Sequence, residues 1–447
     1  MSRIAAALFV LLAASAASGN GRPAETSTIQ FGPNDTIAAG TTFGMVVSHD
    51  GGATWFWTCE DALGYGGEYD PAFAYASSGA LFSTSFRGLM RTEDNCSVEP
   101  STPLGARFAT AVTRGPDNAL YVALAEPANA MAMTPGDTGI YKSTDDGQTF
   151  PLAAMPSPIG TWWYSLVVAP SDPQRVYVTG FRVELGVREL KAFRSTDGGT
   201  TYQPMSTSGL AASPSSAMLI AGVSAQDPDL VYARVTFQDN APNNDALFRS
   251  TDAGATWTPI FAHATSLTAL VRQNGDLVVA NRYAEAWISR APSHGAAWEP
   301  LAGAPHINCL AENSAGAVYA CTQNYAPSDE TRDDAGIMTS TDLATWTPVL
   351  KFQNIAGPIA CPVGTLQRSI CVDDAQRWCM MRRQFGIVAD PTACPSLVDG
   401  PLDDAAIEMP PARTGGCCDT NREPSFALVW LVAVLGWHRR RSSQRSR

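Results

Sequence analysis

Short apolar runs recur along this chain, and each is cut off by the same polar signature. Gly44-Met45-Val46-Val47 leads into Ser48, Asp50, Gly52 and Trp55, and Gly139-Ile140-Tyr141 leads into Ser143, Asp145, Gly147 and Phe150. The signature, Ser-x-Asp-x-Gly-x-Thr-aromatic, returns at Ser195, Asp197, Gly199 and Tyr202. After Leu247-Phe248 it returns again at Ser250, Asp252, Gly254 and Trp257. A brief apolar run closed by Asp and Gly reads as a strand entering a tight turn. In such a turn the Asp carboxylate accepts from amides that no ladder satisfies. Gly takes the left-handed backbone, and the Ser and Thr hydroxyls bond back. The closing aromatic is expected to pack beneath the hairpin. These are turn-stapling roles, which argue for a fold and not for a reaction.

Degenerate copies fill the gaps. Thr92 to Cys96 carries Asp94; Ser340, Asp342 and Trp346 keep the pattern one residue short; Ser289 to Trp298 keeps Ser, Gly and Trp but has no Asp. Starts at 48, 92, 143, 195, 250, 289 and 340 give intervals of 39 to 55 residues, the period of a four-stranded propeller blade. A second signal supports four strands per unit. Ser171-Asp172-Pro173 leads into Arg175 to Val178, and Gln226-Asp227-Pro228 into Leu230 to Ala233. Ala119 to Ala123, Asp276 to Ala280 and Ala317 to Ala320 are equivalent. Each reads as a second strand, with the Ser-x-Asp turn joining the third to the fourth. Thr28 to Phe31 is placed to pair into the last blade and close the ring, which would remove exposed edges.

The repeats resemble the Asp-box (BNR) repeats of sialidase-like, sortilin-like and xyloglucanase-like β-propellers, over residues of about 30 to 350. The resemblance implies an all-β propeller of seven four-stranded blades; it says little about activity, because one fold carries many functions. Sialidase chemistry would require three arginines from different blades around a carboxylate, a Tyr nucleophile with a Glu partner, and an Asp acid. Arg87, Arg107, Arg182, Arg234 and Arg282 are scattered along the chain, and the Arg-Ile-Pro signature ahead of the first box is missing. A xyloglucanase-like pair of aspartates cannot be picked from the sequence.

The ends of the chain change the picture. Residues 1–18 carry Arg3, an apolar core and small residues at Ala14 to Ser18, the layout of a secretory signal. The propeller is assigned to 27–352, a Cys-rich appendage to 353–396, an acidic, Pro-containing linker to 397–413 and a sorting tail to 414–447. In that tail Cys417 and Cys418 precede twelve apolar positions, Phe426 to Trp437, and then an arginine cluster. At ~1.5 Å per residue the run is about 18 Å long, short of a ~30 Å hydrocarbon core. The layout resembles the myxobacterial MYXO-CTERM sorting signal. That resemblance implies a short hydrophobic transmembrane helix processed near Cys417 or Cys418, and surface display; an ordinary C-terminal anchor is the alternative.

The formal net charge is −12, and removing Arg3 and the five arginines of residues 438–447 takes it to −18. That excludes nucleic acid as a partner and confines membrane contact to the tail. Ten cysteines in an exported chain read as disulfides. Cys309 and Cys321 flank a hairpin and are expected to staple it. Cys59 and Cys96 are expected to bridge neighbouring early blades. Cys361, Cys371, Cys379 and Cys394 allow three pairings within the appendage. No Cys-x-x-Cys pair or histidine accompanies them, so zinc is not expected.

The loops between second and third strands, with the crossings between blades, vary most and share one face, where function usually sits. They include residues 126–137, 182–189, 238–245, 282–285 and 323–334. Binding candidates there are Trp162, Trp163 and Tyr164 at a crossing, Arg182, Asp239, Asp245, Arg282 and Tyr283. Trp162, Trp163 and Tyr164 could stack on sugar rings or anchor a peptide, although at least one ring is expected to pack between blades. Glu68-Tyr69-Asp70 occupies the matching crossing of an earlier blade. Oxygen-rich loops, at 239–245 and at Asp329, Glu330, Asp333 and Asp334, lack EF-hand spacing and read as solvated. No metal, cofactor or catalytic residue is assigned. The sequence therefore points to a monomeric, exported propeller that binds a protein or glycan at the cell envelope. The alternative is a sialidase- or xyloglucanase-like glycoside hydrolase with carboxylates in the central cleft.

Overall fold

In the computed structural model the apolar runs become strands hidden on both faces. Ile37–Thr41, Leu81–Ser85, Leu120–Leu124 and Leu277–Asn281 are buried at every position. Each is the second strand of a sheet and is sandwiched by neighbouring sheets, which is why these runs lack polar alternation. The structure describes residues 22–385 except 67–68, 126–135, 158–159, 185–186, 211–214, 238–243, 325–332 and 374. The signal segment, Glu68, Asp239, Asp329, Glu330, Cys394, the linker and the tail with Cys417 and Cys418 lie outside those residues.

Seven antiparallel sheets follow one another, spanning 26–58, 73–100, 109–154, 161–204, 217–263, 267–300 and 309–350; these are blades one to seven. The first strand of each blade lies against that of the next, and blade seven's against blade one's, so the ring is closed. The fold is the expected all-β, seven-bladed propeller. Blade six is complete, although its turn lacks the Asp. Outer strands are blunt: Glu99–Pro100, Gln203–Pro204 and Glu299–Pro300 are two exposed residues each. Proline there offers no ladder donor, which protects a sheet edge from further pairing.

The Ser-x-Asp turns staple as the sequence implies, and they also join blades. Ser48 Oγ donates to Asp50 Oδ1 at 2.7 Å and accepts from Gly52 N–H at 2.8 Å, while Asp50 Oδ1 accepts from Thr54 N–H at 2.8 Å. The same network holds Asp145, Asp197 and Asp252. The closing aromatic bonds its own turn, Trp55 Nε1 to Gly52 O and Trp298 Nε1 to Gly295 O, and also reaches the preceding blade. Trp55 Nε1 donates to Val349 O in blade seven at 3.1 Å, and Trp298 Nε1 to Ile260 O in blade five at 2.9 Å. Gly254 sits at φ 84°, and a Cβ there would lie 2.4 Å from Met205 Sδ. The glycine thus serves both the turn and the seam between blades four and five.

One expectation is corrected by the closure. Thr26–Phe31 does not enter the last blade; it is the first strand of blade one, in register Ile29↔Ala39 with Ile37–Thr41. The ring is instead strapped by the chain that follows blade seven. Gly357–Pro358 pairs in parallel with the outer strand of blade one, Gly357↔Phe56 and Pro358↔Trp57. Gln367 Nε2 donates to Trp57 O at 2.9 Å. Phe352 and Phe385 join Val46 and Trp57 of blade one and Ile337 and Leu350 of blade seven in one apolar cluster.

Disulfides fasten this strap. Cys59 bonds Cys371 and Cys96 bonds Cys361, with Cα–Cα separations of 5.8 and 5.4 Å. The expected Cys59–Cys96 bridge is therefore wrong, and Cys361 and Cys371 do not pair within their own segment. Cys96 lies in the box turn of blade two and Cys59 just beyond the outer strand of blade one, and the returning strap brings a partner within disulfide reach of both. Cys379 is also disulfide-bonded. Cys309–Cys321 staples the first two strands of blade seven as expected. Such bonds are the chemistry of an oxidising compartment. Among the described residues no helix is long and apolar enough to cross a membrane.

Candidate functional site

Strand direction fixes two faces. First-to-second turns and the Ser-x-Asp turns share one; second-to-third turns and the blade crossings share the other. The second face carries a run of aromatic rings across three blades. Phe86, in the two-residue turn between Leu81–Ser85 and Gly88–Thr92 of blade two, stacks on Phe108 at 5.4 Å and 16°. Phe108, entering blade three, meets Trp162 of blade four at 5.0 Å. Tyr69 backs Phe86 at 4.7 Å, and its hydroxyl donates to Thr84 Oγ1 at 2.6 Å. Tyr69 and Phe108 are buried and Trp162 is half-buried, but Phe86 is 49% exposed. A solvent-facing Phe backed by other rings is a rigid apolar platform.

Blade four raises a wall beside that platform. Its second and third strands, Asp172–Glu184 and Val187–Ser195, form the longest hairpin among the described residues, paired out to Glu184↔Val187. Val183 and Val187 are exposed at its end. On its flank Phe181 lies between Tyr164, at 5.1 Å, and the Arg188 guanidinium, 4.5 Å from the ring centroid. Arg182 sits opposite Thr161, one position from Trp162.

The sequence candidates divide on this map. Trp162 and Tyr164 lie on blade four, Trp162 against Phe108 and Tyr164 against Phe181, whereas Arg182, opposite Thr161, leaves the other face of that sheet. Trp163 does not join them: it is 0% exposed between blades three and four and donates to Thr138 O at 2.8 Å, so no ligand can reach it. Arg282 and Tyr283 form a separate turn on blade six, where Arg282 pairs with Glu25 at 2.9 Å and Tyr283 is 62% exposed. Asp245 is only 1% exposed. Its Oδ2 accepts from Leu267 N–H at 3.0 Å and faces Arg234 at 3.9 Å. Burial pushes its carboxyl up, against the opposing pull of Arg234 and the Leu267 amide. Phe86 and Phe108 were not singled out by sequence, and Arg87 only as one of five scattered arginines. The position of Phe86-Arg87 between two apolar strands was the available signal, hidden by the turn's brevity.

Four of the carboxylates described on this face hold partners within the chain; Glu184, at the end of the blade-four hairpin, is exposed. Asp70 takes both Arg22 nitrogens at 2.9 Å. Asp137 accepts from Arg107 at 2.6 Å and from the Tyr141 hydroxyl at 2.5 Å. Burial opposes ionisation of Asp137, but the Tyr141, Gly139 and Arg107 donors outweigh it and hold the carboxyl low. Asp333 Oδ1 lies 3.0 Å from His306 Nδ1, and its Oδ2 accepts from Gln323 N–H. Arg107, Arg234 and Arg282 are thus committed on three different blades and do not converge on one point. Among the described residues no group of three or more His, Cys, Asp or Glu side chains could hold a metal ion. On the opposite face an open cleft of about 380 Å³ lies between blades two and three, lined by Ser77, Asp117, Asp145 and Asp146. Asp145 and Asp146 are spent there on Ser143, Thr149 and Ser77.

No protein-family model matches the chain. Over 249 residues, 53% of the chain, it is 26% identical to a xyloglucanase of Hypocrea jecorina (strain QM6a). The match takes in 25% of that enzyme, so the chain spans about a quarter of its curated relative's length. Among solved structures it is similar to the GH74 xyloglucanase from Xanthomonas campestris, with 15% identity, 72% of this chain, 58% of that one and a TM-score of 0.34. It is also similar to YCF48 bound to D1 peptide, with 13% identity, 67% of this chain, 91% of that one and a TM-score of 0.43. The likenesses to solved structures concern the fold alone. The chain is a seven-bladed β-propeller, and its function has to be argued from its own surface.

Proposed function

We propose that this propeller is exported and holds a glycan chain on its loop-rich face without cleaving it. The observation that carries this reading is the ring-to-ring run Phe86–Phe108–Trp162 on three successive blades, beside the tall hairpin of blade four. Sugar rings present apolar C–H faces that stack on such planes, and the hairpin would flank the bound chain. Hydrolysis asks for two available carboxylates across a scissile bond. Four described carboxylates of this face, Asp70, Asp137, Asp245 and Asp333, are held by cations or amides instead, which leaves Glu184 of the blade-four hairpin without a matching second acid among them.

Export is supported by the signal-like residues 1–18 and by the disulfides. The turns resemble Asp-box repeats, and the MYXO-CTERM-like tail fits display at the cell envelope, where glycans are at hand. A monomer acting there needs no nucleic acid, and it touches the membrane only through that tail. The second reading, glycoside hydrolysis, is favoured by the likeness to the Hypocrea jecorina xyloglucanase.

One experiment separates the two. The full-length exported protein is offered a panel of soluble polysaccharides, and retention in affinity gels is scored beside release of reducing ends. Retention without release, lost in Phe86→Ala and Trp162→Ala, is expected. Release of reducing ends that vanishes on changing one carboxylate would overturn the binding reading in favour of the enzyme.

A further inference from the structure

The second-to-third turns of blades one, two and six are described in full, and they are built alike. In blade one Thr41 Oγ1 accepts from Phe43 N–H at 3.3 Å, and in blade two Ser85 Oγ accepts from Arg87 N–H at 3.0 Å. In blade six Asn281 Oδ1 accepts from Tyr283 N–H at 2.9 Å and from Glu285 N–H at 3.2 Å. The last residue of each second strand thus pins the turn that follows it, and each turn carries one aromatic ring: Phe43, Phe86 or Tyr283. The chain itself shows what such a ring accepts. Phe43 is covered by the edges of Phe352 at 5.0 Å and Phe385 at 4.8 Å, and is buried. Tyr283 has no such cover among the described residues and is 62% exposed, more than Phe86.

Printed contacts join the three turns into one band on the loop-rich face. Arg282 pairs with Glu25 at 2.9 Å. Glu25 N–H donates to Thr42 Oγ1 at 3.0 Å, and its carbonyl accepts from Thr42 N–H at 2.9 Å, beside Phe43. On the other side the Tyr65 hydroxyl donates to Gly44 O at 2.7 Å, Tyr65 meets Tyr69 at 6.4 Å, and Tyr69 backs Phe86. With sheets packed ~10 Å apart, seven blades make a ring about 70 Å round, and the three steps from blade two to blade six span a chord of about 20 Å.

Resting on the glycan-binding reading, we propose that Tyr283 is a second stacking point for the same glycan. The ligand is then a polysaccharide chain long enough to cross the ring from Phe86 to Tyr283. A disaccharide reaches one point only. A longer chain engages both, and the second contact forms within the complex at high effective concentration. A ring on a pinned turn has little order left to lose when the chain arrives.

The test uses the full-length protein and oligosaccharide ladders from cellulose, mannan and chitin, each from disaccharide to hexasaccharide. Affinity is measured for the parent, Tyr283→Ala, Tyr283→Phe and Phe86→Ala. In at least one ladder the hexasaccharide should bind about tenfold tighter than the disaccharide, the worth of one stacked ring. Tyr283→Ala should bring that ratio within about threefold of unity and leave the disaccharide unchanged, whereas Tyr283→Phe should keep the ratio. Phe86→Ala should weaken both lengths. A gain with length that survives Tyr283→Ala reports sliding along a single site and overturns the assignment of Tyr283. A disaccharide weakened by Tyr283→Ala puts both rings in one site and overturns the two-point arrangement. A gain lost in Tyr283→Phe assigns the contact to the hydroxyl and overturns the stacking. No gain in the parent, with Phe86→Ala weakening both lengths, removes the inference and leaves the glycan reading standing. No binding in any ladder, or binding indifferent to Phe86→Ala, sinks the glycan reading and this inference with it. Asn281 holds the turn through backbone amides, so alanine at the exposed Tyr283 keeps the fold; matching thermal melts check this.

Discussion

If the strap closes the ring, its two disulfides are not interchangeable with a local one. Cys59–Cys371 and Cys96–Cys361 span 312 and 265 residues, whereas Cys309–Cys321 spans 12. In the chain-entropy treatment either long bridge, alone, restrains the unfolded chain by about 5–6 kcal/mol, and the short one by about 3. The long loops are nested, however. Once one is closed, the other adds only the circuit through residues 59–96 and 361–371, roughly 50 residues and about 4 kcal/mol. Cys59→Ser/Cys371→Ser and Cys96→Ser/Cys361→Ser should therefore each cost about 4 kcal/mol. The fourfold variant should cost about 10, more than the two together. Guanidinium unfolding followed by tryptophan fluorescence measures this, since Trp57 and Trp378 lie 5.3 Å apart under the strap. A fourfold loss no larger than the sum of the two pairs would refute nesting. A pairwise loss smaller than that of removing Cys309–Cys321 would show that the ring is closed by the packing of Phe352 and Phe385 alone.

Two further outcomes concern pH. Hydrogen bonds hold the Asp145 and Asp342 carboxyls at about 2, the Ser143 hydroxyl leading for the first and the Thr345 amide for the second. A depressed carboxyl contributes stability above the ordinary carboxylate range, and that stability is lost as pH falls through the folded value. Melting temperature should accordingly drop between about pH 4 and pH 2, and Asp145→Asn should flatten the slope; an unchanged slope refutes the staple. Asp245 has the opposite sign. Burial raises it, so its stability is fully present below the ordinary carboxylate range and is lost as pH rises through the folded value. Asn keeps an acceptor for Leu267 N–H without the buried charge. Asp245→Asn should then melt no lower than the parent at pH 7, with the gap closing in acid; a lower melt would show that the pair with Arg234 outweighs the desolvation.

The blades are legible in the sequence because every unit repeats the same local solution. Ser48, Asp50 and Gly52 bond within five residues, so their spacing alone carries the turn, and a period of about 50 residues carries the blade. Blade six shows how far that can degrade: Ser289 Oγ still accepts from Gly295 N–H at 2.9 Å with no Asp present, and four strands still form. What fails is whatever depends on distance along the chain. Trp55 fills the seam with blade seven, and its partner Val349 lies 294 positions away. Nothing near Trp55 announces that. The start of blade one is misjudged for a related reason. Thr26–Phe31 carries the pattern of an inner strand, and an inner strand of the first blade reads the same as one completing the last.

The candidate site is only half legible, and the missing half explains how the surface is built. Trp162 and Tyr164 advertise themselves as a cluster, yet the intervening Trp163 turns inward, as alternation along the strand demands. Two positions apart on one strand supply a fragment of platform; the rest comes from blades two and three, 54 and more residues earlier in the chain. Length of loop was a poor guide. Phe86 and Arg87 occupy a turn too short to catch the eye, and that shortness is what makes them useful. A two-residue turn, with the Ser85 hydroxyl donating to Gly88 O at 3.0 Å and accepting from Arg87 N–H at 3.0 Å, has little freedom to lose when a ligand arrives. In this ring a rigid short turn faces a tall hairpin, so both sides of the site are set before any ligand is present. That is why the Phe86→Ala substitution, within a turn held by its own backbone and Ser85, is expected to change binding without changing the fold.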